Sequence, residues 1–71
     1  ALPIYLYFKE EGELVLVDYK TDRVKPGEEE VLAERYRAQL QYYKKALEQM
    51  EQKKVKECYI YSIPLRKAIS L

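Results

Sequence analysis

The chain has 71 residues and a mass of 8.5 kDa, one domain or a piece of one; at that length folding buries only about 60% of the surface the unfolded chain exposes. Its 48% hydrophobic and 35% charged residues exclude a disordered tail, its one cysteine (Cys58) excludes an internal disulfide, and the lack of histidine excludes imidazole triads and His-ligated zinc. Net charge is +1 but polarised: residues 1–35 carry five Lys/Arg against nine Asp/Glu, and residues 36–71 carry eight against three. The acidic front could gather cations and the basic back could meet an anion, or both are solvated charges on a small domain.

The chain opens on Ala1 rather than Met, which reads as a cut-out segment. Ile4-Tyr5-Leu6-Tyr7-Phe8 is a run of strand formers behind Pro3, a position where strands tolerate proline. Lys9-Glu10-Glu11-Gly12 signals a turn, and Leu14-Val15-Leu16-Val17 resumes the apolar pattern into Asp18-Tyr19-Lys20. These runs predict a β-hairpin over 4–20. Its second strand is apolar on both faces until Asp18, so it belongs inside a sheet covered on both sides. A tight turn at Glu11-Gly12 sets Glu10 opposite Glu13 and therefore Tyr5 opposite Asp18.

Residues 21–27 read as a loop ending in Pro26-Gly27. A helix is predicted over about 28–52, with three glutamates in its first turn and Lys53 and Lys54 closing its end. Leu32, Tyr36, Leu40, Tyr43, Leu47 and Met50 make one apolar stripe along it. No run approaches the roughly 18 apolar residues of a membrane span. Residues 55–63 alternate as a third strand stopped by Pro64, and 68–71 allow a short fourth. The expected fold class is α/β: a β-β-α-β unit, one long helix on a small mixed sheet, with nothing in the chain to cover the other face. A partner or further segment is expected there, so the isolated chain is expected to self-associate.

The informative stretch is Val17-Asp18-Tyr19-Lys20-Thr21-Asp22-Arg23. Strand alternation puts Asp18 and Lys20 on one face, about 6–7 Å apart along the strand. The carboxylate could hold a hard divalent cation, and the lysine could orient a water or steady a developing phosphate charge. Phosphodiester hydrolysis uses both; a plain ion pair where the strand leaves the core is the alternative. A metal site on this hairpin would want a second acid at position 5, where Tyr5 stands. On the helix, Gln39 and Tyr43 share a face at i, i+4 spacing. Gln39 flanks the stripe, where its amide either turns to the polar end of the sheet or faces water, and Gln41 and Tyr42 face solvent. The eight tyrosines are base-stacking platforms or simply strand and core residues with wet hydroxyls.

Val-Asp-Tyr-Lys-Thr-Asp-Arg at 17–23, followed by Arg35-Tyr36-x-x-Gln39-Leu40-x-x-Tyr43-x-x-Ala46-Leu47, resembles the RecB-type nuclease domain of the PD-(D/E)XK superfamily, from about Ile4 to Leu71. The resemblance implies a restriction-endonuclease-like core, of which this chain is the C-terminal part. It places the (D/E)-x-K element on Asp18 and Lys20, with the backbone carbonyl of Tyr19 as a further metal ligand, and the Q-x-x-x-Y motif on Gln39 and Tyr43, which position DNA. It further implies a fragment of a Mg2+-dependent DNA exonuclease domain in a cytoplasmic, ATP-dependent helicase/nuclease of double-strand-break repair and recombination. The implied partners are DNA and a second helicase/nuclease subunit, with no membrane. The chain departs from the family twice: Tyr5 occupies the place of an upstream metal-binding aspartate, and the upstream histidine is absent. The isolated fragment is therefore expected to be inactive, and a non-catalytic DNA- or partner-binding module is the alternative.

Overall fold

A computed structural model describes residues 4–71. Pro3, read above as the residue leading into the first strand, lies outside the described residues. The hairpin forms as its turn chemistry dictates, with β1 (Ile4–Glu10) antiparallel to β2 (Glu13–Lys20). Its two-residue turn has positive φ at both positions, 54° at Glu11 and 80° at Gly12, the combination whose twist matches that of paired strands. Register follows the turn: Glu10 faces Glu13 and Tyr5 faces Asp18.

The helix, α1, runs Glu29–Glu51, one residue inside the expected span at each end. Glu28 is its N-cap rather than part of its first turn, leaving Glu29 and Glu30 as the acids there. The Glu28 carboxylate serves the preceding loop instead, accepting the Lys25 N–H at 2.7 Å, while Glu29 accepts the Gly27 N–H at 2.9 Å. Gln52 ends the helix in the left-handed region at φ 56°, its N–H bonded to the Glu48 carbonyl at 2.9 Å. Lys53 and Lys54 fall past this cap, and the last helical turn holds no basic residue.

The chain then enters β3 (Val55–Ser62), parallel to β2, and returns through 63–66 into β4 (Lys67–Ser70), antiparallel to β3. Strand order β1-β2-β3-β4 makes a mixed four-stranded sheet with β2 interior, as its two-sided apolar pattern requires. The third strand stops one residue short of the expected 63 and the fourth sits one residue early, because the turn closes with the Arg66 N–H on the Ile63 carbonyl at 3.2 Å.

Even-numbered residues of β2 face α1, and there the core assembles: Leu14 and Leu16 pack with Leu32, Leu40 and Leu47 of the helix and Val55 and Ile60 of β3. Tyr36 and Tyr43 are partly buried beside it. The stripe fails at Met50, which is 65% exposed. It overhangs the exposed edge strand β1 and, with Tyr7 and Leu47, lines an open apolar groove between helix and sheet. On the opposite face Leu6 and Phe8 are 43% and 44% exposed, in register with Val17 and Val15. Among the described residues no element lies over that face.

Ion pairs join the acidic front to the basic back: Lys56 meets Glu10 at 2.9 Å and Glu11 at 3.8 Å, and Lys67 meets Glu29 at 3.9 Å. Exposed pairs of this kind each contribute about 0–1 kcal/mol.

Glu11 carries a side chain in a left-handed position that disfavours it by about 1–2 kcal/mol. Asparagine suits the first position of such a turn, so Glu11→Asn is expected to stabilise the fold by about 0.5–1 kcal/mol. Urea unfolding checks this; an unchanged or lower midpoint would show that the pairing with Lys56 outweighs backbone strain.

Candidate active site

Asp18 and Lys20 end β2 on the helix-facing side, where strand alternation carries them under α1 instead of into water. Asp18 is completely buried, and the Lys20 Nζ stands 3.1 Å from its Oδ2. Neither Asp18 carboxylate oxygen finds a well-formed hydrogen bond among the described residues. Burial therefore dominates: it pushes the Asp18 carboxyl above the usual aspartate range, Lys20 pulls it back only in part, and the negative charge of Asp22 adds to the rise. The strand end is fixed from β3, where Ser62 pairs with Lys20 in register and the Ile63 N–H bonds the Lys20 carbonyl at 3.0 Å.

The helix reaches this pair with Gln39. Gln39 is an exposed residue, yet its Oε1 accepts a bond from Lys20 Nζ at 3.3 Å, so it turns its amide to the sheet's polar end. Tyr43, one turn on, is directed elsewhere: its ring stacks on Tyr5 with centroids 5.0 Å apart and planes at 29°. The tyrosine facing Asp18 across the hairpin is thus engaged with the second residue of the helix motif. Gln41 and Tyr42 face solvent as expected. The side chain of Tyr19 points to the other face, its ring 5.7 Å from that of Tyr61.

Three residues that the sequence reading did not place among the site residues, Asp22, Arg35 and Tyr36, complete the constellation. Lys20 Nζ lies 3.9 Å from the centroid of the Tyr36 ring. The Tyr36 hydroxyl donates to Asp22 Oδ2 at 2.7 Å, and Arg35 Nη1 donates to the same oxygen at 2.7 Å. Partial burial works to raise the Asp22 carboxyl, but the Tyr36 hydroxyl and the Arg35 guanidinium outweigh it and hold it below the usual range. The same hydrogen bond to Asp22 raises the Tyr36 phenol. The available signal was spacing: Tyr36 and Gln39 are an i, i+3 pair, so both overlie one strand end.

A buried carboxylate whose oxygens meet one ammonium and no well-formed hydrogen bond among the described residues has the chemistry of a hard-cation ligand. Among the described residues, however, no group of three or more His, Cys, Asp or Glu could hold a metal ion. Asp18 fits as one ligand of a set that these residues do not complete, and Tyr5 stands where a facing acid would be needed.

A carboxyl raised by folding favours the fold below its unfolded pKa, and that contribution is lost as pH rises through the folded value. Lys20 offsets the loss, so removing it leaves an uncompensated buried charge. Lys20→Ala is expected to destabilise the chain by roughly 3–5 kcal/mol at neutral pH, and by less in acid, where Asp18 takes up a proton. Chemical denaturation at neutral and acidic pH checks this; a pH-independent loss would contradict it.

The model of the PD-(D/E)XK nuclease superfamily matches residues 5–69, nearly the whole chain. Members of that superfamily generally use divalent metal ions. The chain is 58% identical over 55 residues to a subunit of the ATP-dependent helicase/nuclease of Acetivibrio thermocellus, a stretch covering 78% of the chain and 4% of the relative. To the same-named subunit of Lachnoclostridium phytofermentans it is 52% identical over 68 residues, 96% of the chain and 5% of the relative. To that of Clostridium perfringens it is 46% identical over 65 residues, 92% and 5%. It thus spans only about a twentieth of the length of these relatives. With its fold and its buried Asp-x-Lys pair in place across the matched span, the chain belongs to the PD-(D/E)XK nuclease superfamily.

Proposed function

We propose that the chain is the C-terminal part of a RecB-type nuclease domain and contributes half of a DNA-cleaving site to a longer ATP-dependent helicase/nuclease. The observation that carries this reading is the buried Asp18–Lys20 pair at the end of an interior strand, reached by Gln39 from the helix. In the longer protein the substrate is DNA, the role is exonucleolytic processing of ends in double-strand-break repair and recombination, and the setting is the cytoplasm. A second helicase/nuclease subunit is the proposed partner. Among the described residues no helix is long and apolar enough to cross a membrane.

The residues divide the work by chemistry. Asp18 supplies a carboxylate, with the Tyr19 carbonyl beside it on the backbone, toward a divalent cation that we take to be Mg2+. Such an ion, when bound, polarises a phosphoryl oxygen and makes water a better nucleophile. Lys20 presents a positive charge where an attacked phosphate gains negative charge, the kind of fixed electrostatic complement that lowers a transition state. Gln39 orients that ammonium through its Oε1, and Tyr43 lines the approach of the strand beside Tyr5.

Tyr5 favours a second reading. It faces Asp18 in place of an acid and stacks on Tyr43, so the same fold could grip DNA or a partner without cutting.

The isolated chain is expected to show little or no digestion of linear DNA with magnesium or manganese, because one carboxylate and one carbonyl hold a hard cation poorly. Placed in one of the full-length helicase/nuclease relatives, in exchange for its counterpart segment, the chain is expected to support digestion. There Asp18→Ala abolishes cutting and Lys20→Ala lowers it by roughly 10²–10³-fold, while ATP hydrolysis persists. Undiminished digestion by either variant would overturn the assignment; DNA binding without cutting in the exchanged protein would favour the second reading.

A further inference from the structure

Lysine is a point charge on a flexible four-carbon stem, and its ammonium goes where its surroundings hold it. At the end of β2 three groups do so: the Asp18 carboxylate at 3.1 Å, the Gln39 amide oxygen at 3.3 Å and the face of the Tyr36 ring at 3.9 Å to its centroid. The first two belong to residues to which the resemblance gives a role in the site; to the third it gives none. A ring face attracts a cation without taking its proton and leaves its donors free to turn toward an incoming anion.

The ring is itself anchored. Its hydroxyl donates to Asp22 Oδ2, and the neighbouring helix residue Arg35 donates to that same oxygen, both at 2.7 Å. Asp22 follows Lys20 by two residues, in the loop that leaves β2. The loop and the helix are therefore tied at one carboxylate, and the tie fixes where the ring lies over the ammonium. We propose that Tyr36, tethered by Asp22 and Arg35, is a further positioning residue for the Lys20 ammonium beside Gln39. The inference rests on the nuclease reading only for what the positioned charge then does.

An aromatic ring shields protons above its face, so the ε-methylene protons of Lys20 report its position directly. In nuclear magnetic resonance spectra of the 71-residue chain, these protons are expected upfield of those of the other lysines. Tyr36→Leu should abolish the displacement. Tyr36→Phe, which keeps the ring and loses the anchor, should retain it at reduced size. Tyr36 also packs against the core, so Asp22→Ala provides the control that leaves the core alone; it too should shrink the displacement. Lys20 protons coinciding with the other lysines in the unsubstituted chain would overturn the proposal, as would full retention in both Tyr36→Phe and Asp22→Ala. A clear upfield displacement alongside undiminished digestion by Lys20→Ala in the exchanged protein would remove the nuclease role of Lys20 and leave its positioning by Tyr36 supported.

Discussion

A carboxylate taken wholly out of water at the end of an interior strand sets the terms for everything around it. Removing Asp18 from solvent is unfavourable, and the ammonium 3.1 Å away offsets that only in part, so the carboxyl lies above the usual aspartate range. Buried ion pairs of this kind are a weak source of stability, and apolar residues of similar volume often serve a fold as well or better. On the proposed nuclease reading the pair is prepared chemistry: a carboxylate oxygen suited to a hard cation and an ammonium, held together where strand and helix converge. The surroundings follow from it, since Gln39 and Tyr36 both lie on the one helical edge that overhangs this strand end.

Much of this was legible in the sequence because it depends on local rules. The Glu11-Gly12 turn fixed the register of the hairpin, and register alone set Tyr5 against Asp18. Period-two alternation brought Asp18 and Lys20 to one face, and the stripe from Leu32 to Leu47 found the buried side of the helix. Met50 was misread because periodicity continues past the end of what it packs against: beneath it lies only the exposed edge strand. The direction of Gln39 was open, and its divergence from Tyr43 was not foreseen, for a related reason. One turn of helix separates them, but one overhangs the polar strand end and the other the tyrosines of β1, a difference that only the tertiary crossing decides. Spacing sets Tyr36 on the same helix edge as Gln39, but the ties of Arg35 and Tyr36 to Asp22 join helix to loop across 13 and 14 residues, beyond the reach of spacing arguments.

Among the described residues the helix covers one face of the sheet and no element covers the other. The helix face holds the core and is open at the groove beside Met50, while Leu6 and Phe8 lie exposed on the face opposite. The metal site we propose has the same character: Asp18 would be one ligand, and across the hairpin, where a second acid was expected, stands Tyr5, with no metal-holding group of three among the described residues. Both features agree with a segment that spans about a twentieth of its relatives' length.

Burial, more than its lysine partner, governs Asp18, and the direct measurement is a pH titration of the Asp18 side-chain carboxyl carbon by nuclear magnetic resonance. A midpoint above that of ordinary aspartates is expected, with Asp22 titrating below them in the same spectra. An Asp18 midpoint at or below the ordinary aspartate range would contradict this, showing a solvated or fully compensated carboxylate instead of a buried one.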